Sequence, residues 1–468
     1  MTWSHSFTQG NCMKNKIYKF VVTGFILAVI SSRIYGQEYF NTIATPQQLQ
    51  PVAPASAETP ADQIPADRVD ISNPGISTPG LPAETNGSDK YNMALGPVHF
   101  GIAAGVGLEY NDNINLAPDG QRISDFAVIP SLTVDSTYQL SELNTLRFSL
   151  GASYTKYFDH SEFDTRGVLL SPNSVLEFTM HVSNIAITFR DRFSYQEDPF
   201  DLPVQTGVGV ATTEQNSVYR HFENQVGVQA DWAINENFKV TAGYDHYNLW
   251  TDEEFKSLEH SVDTIFIKPS FVVTPAITAG VDASVSFVSF TENIQNGGTS
   301  YMAGPFAQIA LTQNTHLYVE GGFSSFDFNH DGTINDTSNS NTWYGRLDLS
   351  NQLSEAFSQR LSFTKSTEVG FGSNFYDLYH VEYAADWKIM ENLTLDPSIF
   401  YEHYKTSAPV GTQSDTGDRY GASVGLRYIL TPSITLGLDY RYLYNSSNLG
   451  SLLDYRQNLV LLSAYYNF

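Results

Sequence analysis

From Val98 to the C terminus the chain alternates apolar and polar residues with a period of two. Val98, Phe100, Ile102, Ala104, Val106, Leu108 and Tyr110 fall on one side of an extended backbone, and His99, Gly101, Ala103, Gly105, Gly107, Glu109 and Asn111 on the other. The same beat runs through 146–155. It is cleanest near the end, where Tyr420, Ala422, Val424, Leu426 and Tyr428 oppose Arg419, Gly421, Ser423, Gly425 and Arg427. In the last stretch, LDYRQNLVLLSAYYNF, the residues Val460, Leu462, Ala464, Tyr466 and Phe468 share one face. Each such segment predicts a strand with one oily and one wet face.

A soluble sandwich would alternate too, so the connections discriminate. Every second one is tight: 141–144, 183–184, 235–237, 274–276, 313–315, 390–392 and 431–433. The intervening ones are longer and acidic, at 158–165, 197–215, 251–258, 291–299, 328–340 and 407–417. A sandwich has no reason to segregate loop length by end, whereas a membrane barrel does. The expected fold is therefore all-β: a transmembrane antiparallel β-barrel of about 18 strands over residues 97–468, with short periplasmic turns and longer outer loops. An even count places both chain ends in the periplasm. Closure is forced, because an open edge in hydrocarbon leaves backbone groups unpaired. A barrel of about 16 to 18 strands leaves an aqueous channel. Aromatic residues at strand ends, such as Tyr110, Tyr154, Trp232, Tyr244, Trp343, Trp387 and Tyr440, suit the lipid interface.

Upstream the composition changes. Residues 13–36 carry a basic start (Lys14, Lys16, Lys19) and an apolar core from Phe20 to Ile30, the pattern of a secretory signal peptide. Met13 is then the expected start, with residues 1–12 an upstream extension. Beyond the signal no apolar run reaches the ~18 residues of a spanning helix. Residues 37–96 are rich in Pro, Ala, Ser and Thr, and predict a disordered periplasmic linker. The single cysteine, Cys12, precedes the signal, so the mature chain has no thiol chemistry. The chain has 25 Lys+Arg and 50 Asp+Glu, and removing residues 1–36 takes four cations and no acids, leaving 21 − 50 = −29. Such acidity argues against a nucleic-acid partner. The expected partner of such a barrel is the lipid bilayer with its lipopolysaccharide.

The stretch Gly107-Leu108-Glu109-Tyr110-Asn111-Asp112-Asn113-Ile114, followed by a strand carrying Ile129, Pro130 and Leu132, resembles the opening of a beta-barrel porin family of bacterial outer-membrane proteins often associated with exopolysaccharide gene clusters. Over residues 98–468 the resemblance implies an outer-membrane barrel of Gram-negative bacteria acting as a solute or polysaccharide conduit, and it carries over no catalytic residue. The aromatic end resembles the final strand of outer-membrane barrels, which implies that Tyr466 and Phe468 form the barrel-insertion signal. Asn111-Asp112-Asn113 reads equally well as the polar start of a loop.

If the apolar face meets lipid, the other lines the lumen. It then presents Arg147, Arg190, Arg192, Lys239, Arg346, Arg427 and Arg441 among Asp245, Asp282, Glu320, Asp348, Glu382, Asp386 and Asp439. Wall ion pairs that satisfy one another are one reading; a transverse field that orients passing solutes is the other. Tyr157, Tyr247, Tyr318, Tyr344 and Tyr404 share that face and could stack on sugar rings. One outer loop, Asp327-Phe328-Asn329-His330-Asp331-Gly332-Thr333-Ile334-Asn335-Asp336, resembles the calcium loop of EF-hands and dockerins. Asp327, Asn329, Asp331, Thr333 and Asp336 are its candidate Ca2+ ligands, although position 12 is Ser338 rather than a bidentate acid. No H-E-x-x-H or Walker pattern supports an enzyme. The expectation is a passive channel or conduit; the alternative is a non-conducting structural or adhesive surface barrel with acidic, cation-binding loops.

Overall fold

The computed structural model describes residues 93–141, 143–199, 218–370, 372–449 and 453–468. The expected signal peptide, and the expected linker up to residue 92, lie outside the described residues. Eighteen long strands form the wall: β1 (Val98–Asn111), β2 (Asp125–Ser141), β3 (Asn144–Ser153), β4 (Val175–Val182), β5 (Ile185–Pro199), β6 (Val218–Asn235), β7 (Phe238–Thr251), β8 (His260–Thr274) and β9 (Ile277–Phe290) make one half. The other half is β10 (Gly298–Thr312), β11 (Thr315–Phe328), β12 (Ser340–Ser354), β13 (Phe357–Val369), β14 (Phe375–Met390), β15 (Leu393–Thr406), β16 (Thr416–Thr431), β17 (Ile434–Ser447) and β18 (Tyr455–Asn467). Consecutive strands pair antiparallel, and β18 returns to β1 from Ala103↔Asn467 to Asn111↔Leu459. The sheet has closed into a cylinder, so the ladder needs no lipid-exposed edge. A short strand, Met93–Leu95, folds back on Val98–Phe100 around Gly96, whose φ of 62° suits a residue without Cβ. The last residues of the expected linker therefore belong to the sheet.

Alternate connections are two-residue turns, including one at Glu355-Ala356 that the loop-length reading passed over. A side chain at the end of the incoming strand caps five of them by accepting the backbone N–H two residues on: Ser141 from Leu143, Asn235 from Asn237, Thr274 from Ala276, Thr312 from Asn314 and Ser354 from Ala356. Ser, Thr and Asn mimic a backbone turn in this way, and a register slip beside the turn marks the extra residue. Connections at the other end are longer, with 3-10 turns at Ser161–Phe163 and Glu253–Leu258.

The outward face carries the oily half of the alternation. Val106, Leu108, Ile265, Ile267, Phe271, Ile399 and Leu462 are exposed there, and singly exposed groups on this scale form a belt that needs lipid to cover it. Above the belt three tyrosines reach across to the next strand: Tyr244 donates to Asp263 at 2.5 Å, Tyr401 to Asp418 at 2.8 Å and Tyr440 to Asn458 at 2.8 Å. The ring stays in the apolar zone while the hydroxyl finds an acceptor nearer the headgroups. Phe468 ends the chain outside the sheet, its N–H on the Ile102 carbonyl at 3.0 Å and its ring edge-on to Tyr466. Replacing the lipid-facing Leu462 by Arg should destabilise the inserted barrel by about 2–4 kcal/mol, read as denaturant-induced unfolding from lipid vesicles.

Candidate channel lumen

The inner face divides into sectors. On β3–β5, Glu177 stands directly opposite Arg147 on one side and Arg190 on the other, and Arg192 flanks it. Arg190 also lies 3.6 Å from Asp245 on β7, two strands away. They meet because the residue between them is Gly227; a Cβ there would come within 3.1 Å of the Asp245 Cγ. Lys239 is 3.2 Å from Asp231. With three arginines around one glutamate and one aspartate, this sector keeps a positive excess.

The β8–β13 sector is balanced. Lys268, buried on the inner face, lies 3.1 Å from Asp282 and 3.6 Å from Glu320, donates to the Tyr318 hydroxyl at 2.8 Å, and sits 4.2 Å over the Phe306 ring. Tyr318 in turn donates to Glu320, as does Tyr344 at 3.5 Å. Arg346 and Arg360 converge on Asp348, at 2.5 and 2.7 Å. Buried charges of this kind are tolerated because each has a partner of opposite sign and further hydrogen bonds.

The β14–β17 sector keeps a negative excess. Arg427 bonds Asp396 and lies 3.8 Å from Asp386; Arg441 is flanked by Glu109 and Asp439; Glu382 adds a further acid. Higher up, Glu402 takes His380 at 2.9 Å and Arg419 at 3.3 Å. Asp439 and Lys388 point inward near the turns and are nevertheless exposed, so solvent reaches the wall there. The structure thus brings the fourteen expected wall residues onto one face, and most of them into pairs. It adds Lys268 and Arg360, which the alternation alone does not single out.

Toward the outer end the lumen changes character. The connection after β1 turns inward, burying Asn113, Ile114, Asn115, Leu116 and Ala117. Asn113 holds its own loop through Ala117 N–H at 2.9 Å and Ala117 carbonyl at 2.8 Å, and donates to the Arg456 carbonyl. Asp112 accepts both the backbone and side-chain N–H of Asn458, at 2.6 and 2.8 Å. The loops after β9, β11, β13 and β15 also fold in and meet at Asp336, buried to 1% exposure. Its carboxylate accepts Ser338 N–H at 2.9 Å, Asn374 N–H at 2.9 Å and the Ser407 hydroxyl at 2.6 Å, while its carbonyl accepts Asn296 at 2.9 Å. Asn335, at φ 55°, accepts Val410 N–H from the β15–β16 loop. Beneath the knot Val262, Val288, Phe326, Phe328 and Val369 pack with Tyr247, Phe290 and Phe375. Burial pushes the Asp415 carboxyl of the neighbouring loop above the usual carboxylate range, despite bonds from Ser447 and Tyr404.

Asp336 thus acts as a loop tie, while Asp331 is exposed and Asp327 lies at the outward edge of β11. Among the described residues no three His, Cys, Asp or Glu side chains gather closely enough to hold a metal ion. Of the expected sugar-stacking rings, Tyr318 and Tyr344 bond Glu320 and Tyr404 bonds Asp415, so their hydroxyls serve the wall.

A closed eighteen-stranded cylinder with an oily belt outside and charge within is a porin-like barrel of the Gram-negative outer membrane. The family model described as "Putative beta-barrel porin 2" matches residues 353–468, the end of β12 and the six strands after it. No curated protein matches the chain. Among solved structures, OpdK of Pseudomonas aeruginosa with vanillate is similar at 10% identity and a TM-score of 0.43, covering 79% of this chain and 99% of that one. OccK2 (OpdF) of the same organism, in complex with glucuronate, gives 10%, 0.44, 79% and 98%; OccAB4 of Acinetobacter baumannii gives 10%, 0.41, 82% and 100%.

Replacing Asp336 by Ala removes the acceptor of three hydrogen bonds at once and should loosen the knot by about 1–3 kcal/mol. The expected result is protease cleavage within 329–339 and 407–415 of the reconstituted barrel under conditions where the native chain stays intact.

Proposed function

We propose that the barrel is a passive channel for small charged or polar solutes, open toward the periplasm and narrowed outside by its own loops. The observation that carries this reading is the contrast along the inner wall. Near the turns it is charged and solvent-reachable, with positive excess on β3–β5 and negative excess on β14–β17; near the loops it is packed, a polar knot over an apolar cluster. Opposed sectors of charge create a field across the lumen that orients a dipolar solute while both ends of it stay solvated. Ion pairing within each sector holds the long side chains against the wall, leaving the centre for the solute.

The packed outer mouth favours a second reading, a non-conducting barrel whose loops serve the cell surface. Planar-bilayer recordings separate the two. The channel reading expects unitary conductance that rises when Asp336 is replaced by Ala; silence from both proteins would rule it out. Changing Asp439 and Asp386 together to Lys should move selectivity toward anions, measured as a shifted reversal potential under a salt gradient. The effect should shrink as salt rises, because the Debye length falls from ~10 Å at 0.1 M to ~3 Å at 1 M. Polysaccharide as passenger is tested by adding oligosaccharides and looking for current block.

A further inference from the structure

One wall junction differs from the rest. The β12–β13 register ends at Gly345↔Lys365, yet β12 runs on to Ser340 and β13 to Val369, and at no other described junction do both strands outlast their last partners in this way. The neighbouring ladders continue: β11 pairs β12 up to Phe326↔Ser340, and β13 pairs β14 up to Val369↔Phe375. The cause is visible inside. Val369 and Phe375, at the tip of the β13–β14 hairpin, join the internal apolar cluster, with Phe375 stacked 6.1 Å from Phe328. Leaning inward to bury those groups takes the hairpin tip away from β12.

At the fork stands Lys365. Its position in the alternation is a lipid-facing one, opposite Gly345 and Tyr379, but its side chain is buried to 1% exposure. The ammonium donates to Thr342 on β12 at 3.2 Å, to Thr367 on its own strand at 3.3 Å and to Asp377 on β14 at 2.9 Å. Three donors with three acceptors on three strands make a side-chain latch where the backbone ladder stops. Outside the fork, Trp343 lies 6.1 Å from Tyr379 and 6.4 Å from Phe363, rings that belong at the outer-leaflet interface. Inside it lie Val369, Phe328 and Phe326. An oily surface therefore stands on each side of a polar latch.

We infer that the β12–β13 seam is a lateral entrance, through which the acyl chain of an outer-leaflet amphiphile reaches the internal apolar cluster. This goes beyond the axial channel proposed above and concerns a different opening. Depth supplies the choice of occupant: a seam that begins at the aromatic girdle faces lipid tails and headgroup bases, and a polar latch guarding an apolar interior admits a molecule with both characters. The tail exchanges one apolar setting for another, so its transfer needs no exposure to water.

The chain has no cysteine in the barrel, so Thr342→Cys with Thr367→Cys, whose side chains meet the same ammonium, can be bridged by a short dithiol-reactive spacer. Full-length barrels are reconstituted in vesicles containing a phosphocholine amphiphile with a diazirine-ended dodecyl tail, irradiated and mapped by mass spectrometry. The open barrel should carry label on Phe328, Val369 or Phe375; bridging should cut that label at least tenfold while label on Trp343 and Phe363 persists, and cleaving the spacer should restore it. A second variant, Lys365→Met with Asp377→Asn, should raise internal labelling severalfold. Internal label that survives bridging, or that never appears in the open barrel, overturns the entrance. Ion conductance recorded on the same bridged sample reports separately on the axial channel.

Discussion

Hydrocarbon offers no partner to a backbone N–H or C=O, and the rest of this molecule follows from that. Each unsatisfied group in the bilayer core costs several kcal/mol, so the strands must pair on both sides and the sheet must close. Closure divides the side chains by parity. Those facing out meet lipid and are Leu, Ile, Val and aromatic; those facing in are free to be charged, provided they find one another. The sectors around Glu177, Lys268 and Arg427 are the result. The β12–β13 fork is notable against this background, because a lysine and three oxygen acceptors stand where ladder bonds would otherwise run.

The two ends of the cylinder obey different rules. At the turn end, geometry is fixed locally: a Ser, Thr or Asn caps each of five turns two residues ahead, and the strands need little else to reverse. At the loop end, geometry is fixed by assembly. Loops following β9, β11, β13 and β15 bring nothing to the wall individually, and acquire order by sharing Asp336, Asn296 and Asn374. Such a knot is polar, contiguous and cooperative, so its bonds stand or fall together. The wall is thus built from local signals and the mouth from long-range ones.

Legibility in the sequence follows the same division. Strand parity, turn positions and the inward placement of Arg190, Asp282 or Asp348 depend on a period of two, which needs no knowledge of neighbours. The turn at Glu355-Ala356 was passed over, although Ser354 repeats the signal that Thr274 gives. Lys268 was missed because Phe266 shares its face and dilutes the polar beat. Lys365 was beyond pattern reading: parity assigns it to lipid, and only the bend of the hairpin tip gives it acceptors. The knot at Asp336 looks like a cation loop because the spacing of oxygens in 327–336 is suited to one; which oxygens turn toward Asn374 and Ser407 depends on residues 38 and 71 positions away.

The Asp112 and Asn113 bonds to the last strand tie residues 343 to 346 positions apart. These bonds join the loop after the first strand to the last strand of the barrel. Sixteen strands lie between them in the chain, so the inward tuck of the first outer loop needs the closed cylinder that brings Arg456 and Asn458 alongside. The short Asn-Asp-Asn run serves as the hasp of the cylinder, holding its first strand to its last.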